Sequence, residues 1–343
     1  MLPINTDIAI IGVGTSGSFI ASQLTEAGVD CTVFEKSRGR GGRCSRRQLN
    51  TGISIDLGAP EVLIDLADNP RLTKHIDTWV KDGSLQPWSY EASRFNRIDQ
   101  REHVTSLCGA PSMSTWHKHI THHVNIRSNC KIDSITQREG HWHLRDDSGQ
   151  LISKAKKVIL TCPAAQAADL LKPSRLFLDD ERLTRNNLAQ FVCAIGFTES
   201  SHIPADLYRG GHSILATAIR ENSKPKRALT CFPQEIWLLH STDSWARQHS
   251  STPHDKAAVL LADEFCKHFR SHLNTPSEPQ ILTSHYWLMA RHHLEGDAKP
   301  PFLWDKSLNI GCCGDWLSTG DIPGALNSAL SLFEQITSTD KWV

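Results

Sequence analysis

The chain has 343 residues, enough for two domains sharing one large core or for one domain with a substantial insert. Its 37 Lys and Arg balance 37 Asp and Glu. A formal net charge of zero argues against a nucleic acid or an anionic membrane as partner, because either favours a basic excess.

No apolar run reaches the roughly 20 residues that a membrane-crossing helix needs. Residues 8–14 (IAIIGVG) are apolar but short, and no basic segment precedes them as a secretory signal requires. The expected location is the cytoplasm. Residues 7–14 (DIAIIGVG) read as a buried parallel strand, residues 15–27 (TSGSFIASQLTEA) as a helix stopped by Gly28, and residues 30–35 (DCTVFE) as a second strand. Strand, tight turn, helix and strand thus fit the size of one βαβ unit. An Arg- and Gly-rich loop follows at 37–47 (SRGRGGRCSRR), then a mixed polar stretch over 70–106 that reads as an excursion from the first domain. Residues 130–160 read as a β-meander, with runs CKIDSITQ, HWHLRDD and KKVILTC. Further strands are expected at QFVCAIGF, ALTCFP and IWLLHS, a helix over 254–272, a last strand over 308–314 and a last helix over 323–337.

The ten cysteines are scattered and form no C-x-x-C, so they read as reduced core residues, and the adjacent Cys312 and Cys313 suit no mutual disulfide. Eighteen histidines include several close pairs, but no acidic partner recurs beside them, and no metal is expected.

Gly12-Val13-Gly14-Thr15-Ser16-Gly17 is a G-x-G-x-x-G sequence that ends a strand and opens a helix. That context gives it meaning: Gly12 allows the turn, Gly14 allows a pyrophosphate to approach the backbone, and Gly17 lets helix and strand pack closely. The helix start, with Thr15 and Ser16, offers free N–H groups and a positive partial charge to phosphate. Glu35 falls 18 residues after Gly17, at the end of the second strand, where a carboxylate accepts both ribose hydroxyls of an adenosine. The loop Lys36, Arg38, Arg40, Gly41, Gly42, Arg43 then favours phosphate, through backbone that passes close and guanidinium groups that bind it bidentately. The fingerprint alone does not decide between FAD and NAD.

The run EKSRGRGGRCSRR (35–47) resembles the corresponding loop of the flavin amine oxidases, most of all their renalase-like branch. Similar segments follow in order: SIDLGA (54–59), GAPSM (109–113), KVILTCPAAQAADLL (157–171), NSKPKR (222–227), IWLLHSTDSW (236–245), HYWLMA (285–290) and CCGDW (312–316). The resemblance implies an α/β fold, α+β overall: a Rossmann-type FAD-binding domain (residues 1–70, 105–175 and 300–343) and a substrate domain on a mixed or antiparallel sheet (71–104 and 176–299). It implies noncovalent FAD, with Gly12, Gly14 and Gly17 at the pyrophosphate, Glu35 at the ribose, Arg43 at phosphate, Ile132 at adenine, and Gly314 and Asp315 toward the ribitol. It further implies a helix near Gly324 aimed at the flavin pyrimidine. The chain departs from the family pattern at Pro60-Glu61-Val62 and at Leu288-Met289, where an amide, aromatics and an arginine are replaced.

The expected chemistry is hydride transfer from a C–H beside nitrogen, as in a dihydronicotinamide isomer, to flavin N5, with O2 as acceptor. No side-chain nucleophile is needed, and no G-x-S-x-G or carboxylate pair presents itself. Candidate substrate-side residues are Trp287, Glu61, His285 and His240. Glu61 would suit a cationic substrate, which keeps open an amine or amino-acid-like oxidase or desaturase on the same scaffold. A flavin-binding protein without turnover is a third reading.

Overall fold

The computed structural model describes residues 2–49, 52–177, 180–184, 187–227, 233–273, 278–292 and 299–339. The expected strand ALTCFP lies outside these, apart from its final proline. The opening unit forms as the sequence suggests: strand β1 (Ile4–Ile11), helix α1 (Thr15–Glu26) and strand β2 (Cys31–Phe34). β1 pairs in parallel with β2 on one side and with Leu151–Leu160 on the other. Ile310–Cys313 and Asn125–Arg127 extend the parallel sheet outward. An antiparallel strand, Phe302–Asp305, closes one edge, and the hairpin Ser134–Arg138/His141–Arg145 runs antiparallel to the start of Leu151–Leu160.

Both faces of this sheet are covered, which is why its central strands are nearly uncharged. Ile8, Ile10 and Val33 pack with Phe19, Ile20 and Leu24 of α1 and with Leu326 and Ile336 of the last helix, Ile322–Thr339. Ala9, Ile11, Phe34 and Val158 pack on the other face with Ile135, Trp142 and Leu144 of the hairpin.

The second sheet has seven strands in the order Gln280–His292, Asn187–Phe197, Glu235–Ser241, Leu215–Arg220, Leu207–Arg209, Leu85–Ser93, Glu102–Gly109. All neighbours are antiparallel except Leu207–Arg209 with Leu85–Ser93. The 70–106 stretch therefore contributes strands to this sheet. Residues 105–109, which the sequence division places in the nucleotide part, continue it as well. Alternation along Glu235–Ser241 serves two cores: Trp237 and Leu239 face the helix His254–His268, whereas Ile236 and Leu238 join the core shared with β1 and α1. The second sheet thus presents one whole face to the nucleotide unit.

Among the described residues no helix is long and apolar enough to cross a membrane. The nine described cysteines form no disulfide.

Candidate functional site

The glycine turn is shaped by three different constraints. Gly12 has φ +104°, a backbone state that side chains rarely adopt. A Cβ on Gly17 would lie 2.2 Å from the Gly12 carbonyl oxygen, so only glycine lets α1 sit on the turn. Gly14, which precedes the first turn of α1, differs: a Cβ there meets nothing within 4 Å, so its surroundings are open. Thr161, just past Leu151–Leu160, braces the turn by donating its hydroxyl to the carbonyls of Ile11 (3.0 Å) and Gly12 (2.9 Å).

Thr15 and Ser16 are held from behind. His117 Nδ1 lies 2.9 Å from the Met113 carbonyl, which only accepts, so the proton sits on Nδ1 and Nε2 accepts from the Thr15 hydroxyl at 3.0 Å. Burial pushes the His117 pKa down to about 4, which keeps the ring neutral in that tautomer. Ser16 donates to the Ala325 carbonyl at 2.9 Å, tying the first turn of α1 to the first turn of the last helix.

Glu35 follows β2 directly and is buried. Its carboxylate accepts from the Val13 amide (3.0 Å) and the Ser37 amide (2.8 Å), which fixes it beside the glycine turn. A carboxylate has about four acceptor positions, so capacity remains for hydroxyl donors. The Cys130 amide donates to the Glu35 carbonyl at 2.9 Å and brings the segment carrying buried Ile132 alongside; the strand itself begins only at Ser134.

In the Arg- and Gly-rich loop, Lys36 and Arg38 are exposed. Arg40 donates to the Thr121 carbonyl and hydroxyl, both at 2.8 Å, and so ties the end of helix Met113–Ile120. Gly42 (φ +52°) comes close to Gly14: a Cβ on it would lie 3.2 Å from the Gly14 Cα. Arg43 is bidentate to Asp315, at 2.8 and 2.5 Å, and also donates to the Ala290 carbonyl at 3.3 Å. The structure thus joins two expected cofactor residues to each other and to the second sheet. Gly314 donates to the Ser328 hydroxyl at 2.9 Å. Gly324 donates to Asp321 Oδ1 at 2.8 Å, and a Cβ on it would lie 2.3 Å from Thr319 Oγ1, so this helix start too requires glycine.

Burial raises the Asp315 pKa, but the Arg43 charge and hydrogen bonds outweigh it and hold the carboxyl below its ordinary value. A depressed folded-state pKa stabilises the protein above the unfolded value, about 3.9 for Asp, and that contribution is lost as pH falls through the folded value. Asp315→Asn is expected to lower the urea midpoint clearly at pH 7 and to approach the wild type only as pH falls below the ordinary Asp value of about 3.9, as measured by urea melts across pH.

The substrate-side candidates separate. Trp287 donates from Nε1 to the Leu57 carbonyl at 2.8 Å, and the His285 ring meets it edge-on at a centroid distance of 4.2 Å. Burial lowers the His285 pKa, as do Arg47 and His254. Glu61 is not open to a cationic ligand: it is buried, accepts from Arg209 Nη2 at 2.7 Å and from the Tyr90 hydroxyl at 2.6 Å, and so has its countercharge within the protein. His240 is buried in the middle of the second sheet, and neither ring nitrogen has a hydrogen-bond partner among the described residues. Burial, then the charges of Arg291, Lys224 and Arg209, lower its pKa to about 3. Leu288 is exposed, whereas an arginine, Arg291, stands three residues further along the same strand.

Residues 10–79 match the family model of the NAD(P)-binding Rossmann-like domain. The zeta-carotene-forming phytoene desaturase of Myxococcus xanthus is 44% identical over 57 residues, 17% of this chain and 11% of that protein. This chain thus matches only about a tenth of the length of that relative. A solved structure assigned as a protoporphyrinogen oxidase from Exiguobacterium sp. 255-15 superimposes with a TM-score of 0.70 at 12% identity, covering 99% of this chain and 100% of that one. Putrescine oxidase bound to putrescine does so with a TM-score of 0.67 at 10% identity, covering 98% and 100%. The fold is shared with these oxidases.

Within that fold the sequence reading missed a buried ionic group. Asp56 receives Arg227 Nη2 at 2.6 Å and has Lys224 Nζ at 3.8 Å; Glu221 receives Arg227 Nη1 at 2.8 Å and pairs with Lys224. Asp56 lies in SIDLGA, Lys224 and Arg227 lie in NSKPKR and Glu221 directly precedes it, but nothing in these segments alone signals that they meet. His117 and Thr161 were missed for the same reason, since each acts on the glycine turn from a distant part of the chain. Among the described residues no group of three or more His, Cys, Asp or Glu is placed to hold a metal ion.

Proposed function

We propose that this protein is an FAD-dependent oxidoreductase that takes a hydride from a C–H beside nitrogen in a dihydronicotinamide isomer, with dioxygen as final acceptor. The observation that carries the cofactor is the open space over Gly14, with buried Glu35 hydrogen-bonded to the turn beside it. That arrangement suits a pyrophosphate at the start of α1 and an adenosine ribose at the carboxylate. Asp315 and Gly314, close to the start of the last helix, would hold the flavin end. Held by these residues, FAD would supply a hydride acceptor at N5 whose two electrons could pass on to dioxygen.

The chain's own residues then orient and exclude water. Trp287, fixed by its bond to Leu57, offers a rigid wall between the two sheets. Neutral His117 holds the Thr15 hydroxyl in place. Burial raises the Cys44 and Cys162 pKa values to about 12, so neither supplies a thiolate, and hydride transfer asks for none. The substrate class rests on the collinear renalase-like segments, and the internal pairing of Glu61 with Arg209 removes the feature that favoured a cationic amine.

Anaerobic mixing tests this. Dihydronicotinamide isomers carrying hydride at ring position 2 or 6 are expected to bleach the flavin at least about 100-fold faster than ordinary NADH, because near-attack geometry at N5 is strict. Bleaching by a primary or secondary amine, with none by the isomers, would replace this reading with an amine oxidase.

A further inference from the structure

We infer that the face of the second sheet turned toward the nucleotide unit carries an oxyanion-binding site for the substrate, formed by Arg291 and Arg209 over His240 and Thr217. The inference rests on the oxidoreductase reading above and adds the chemical class of the ligand: one bearing a phosphate or carboxylate group.

The strand register places most of these residues in one row. Arg209 lies opposite Thr217, Thr217 opposite His240, His240 opposite Val192, and Val192 opposite His285. Residues directly opposite across antiparallel strands share a face and lie about 4.5–5.5 Å apart at Cα. Val192 belongs to the core formed with β1 and α1, so this face looks toward the nucleotide unit.

Two observations point to a ligand there. The first is unmet polarity. Thr217 Oγ1 and both His240 ring nitrogens are buried without a hydrogen-bond partner among the described residues, although Thr217 is 5% and His240 1% exposed. Buried polar atoms are nearly always satisfied, and three unsatisfied atoms on neighbouring strands make one polar patch. His240 stays neutral, because burial and the nearby cations oppose its protonation, and a neutral imidazole still has one N–H to donate.

The second is charge without an ion-pair partner among the described residues. Arg43 is answered by Asp315, and Arg209 by Glu61, which also takes the Tyr90 hydroxyl. Asp321 is engaged by the Gly324 amide and the Thr319 hydroxyl. Arg291 is exposed to water, and the protein around it partly desolvates its guanidinium. Burial and the charges of Arg209 and Arg43 lower its pKa, while Asp321 and Glu61 reach it only through space. The Arg209 side chain is 47% exposed and uses one Nη on Glu61, leaving further donors. Guanidinium groups bind planar oxyanions through paired N–H bonds. A cationic amine would meet repulsion in this place.

Calorimetric titration of the purified holoprotein with inorganic pyrophosphate and with malonate tests the site. Wild type is expected to bind at least one of them, and Arg291→Gln to weaken that binding at least tenfold. Glu61→Gln combined with Arg209→Gln, which removes the second cation without stranding the acid, is expected to weaken it similarly and covers the case of an Arg291 variant that does not fold. Tighter pyrophosphate assigns the site to a phosphate-bearing substrate, and tighter malonate to a carboxylate. No binding of either anion by wild type, or equal affinity in both variants, overturns the site. Fast bleaching by dihydronicotinamide isomers together with that negative result would leave the oxidoreductase reading standing. Anion binding through Arg291 in a protein that no such isomer reduces would leave the site standing alone.

Discussion

Gly14→Val is expected to give a folded protein that is purified without FAD. The backbone at Gly14 has φ −70° and ψ −166°, which valine adopts without strain, and a Cβ there meets no protein atom within 4 Å. The fold therefore tolerates the side chain. A bound pyrophosphate would not, because it must reach the N–H groups at the start of α1 through the same open space. A loss of affinity of at least about 100-fold, or roughly 2.7 kcal/mol, is expected. Gly17→Val is the instructive contrast: its Cβ would sit 2.2 Å from the Gly12 carbonyl oxygen, so that variant is expected to lose the fold along with the cofactor. Far-ultraviolet circular dichroism and the flavin absorbance of the purified proteins separate the two cases. Wild-type flavin content in a folded Gly14→Val protein would remove the glycine turn from the cofactor site.

The contrast between these two glycines also marks how far the sequence can be read. The βαβ unit was legible because its signals are local: three glycines at fixed spacing, a strand on each side, an acid after the second strand. Its consequences in space were not. Arg43 and Asp315 were each assigned to the cofactor from separate motifs, but they are 272 residues apart, and nothing in either motif says that they pair. Glu61 read as an open acid because its partner, Arg209, is 148 residues away on a strand only three residues long. Arg40 read as a phosphate ligand because glycines surround it, whereas the helix end at Thr121 takes its hydrogen bonds. The second sheet was recognised only as a series of strand-like runs. Its order interleaves three stretches of chain, and period-2 alternation sets which side a residue faces but not which strand lies beside it.

Arg227→Met is expected to destabilise the protein by about 3–5 kcal/mol, the usual cost of removing one partner from a buried ion pair and stranding the other. Asp56 is fully buried, and Arg227 contacts it at 2.6 Å while donating its remaining N–H groups to Glu221 Oε2 and to the carbonyls of Pro111 and Gly109. Without Arg227, Lys224 at 3.8 Å is the one cation left beside Asp56 among the described residues, and Lys224 is already engaged with Glu221. At about 2–4 °C per kcal/mol, the melting temperature should fall by roughly 10 °C. Combining Arg227→Met with Asp56→Asn should recover at least half of that loss, because the Glu221–Lys224 pair is then left balanced and no charge is stranded. An additive double variant would mean that the cost comes from packing and not from the stranded carboxylate. The effect should also reach the cofactor. Asp56 leads directly into Leu57, whose carbonyl holds Trp287, and into Gly58, where a Cβ would lie 1.8 Å from the Arg43 carbonyl oxygen. The Ala59 amide donates to that same oxygen at 3.0 Å, and Arg43 in turn grips Asp315. The buried ionic group thus sets the position of one short segment that braces both the proposed substrate wall and the proposed cofactor pair. Folded Arg227→Met protein is accordingly expected to hold FAD more weakly than wild type, and the double variant to regain retention in step with its stability.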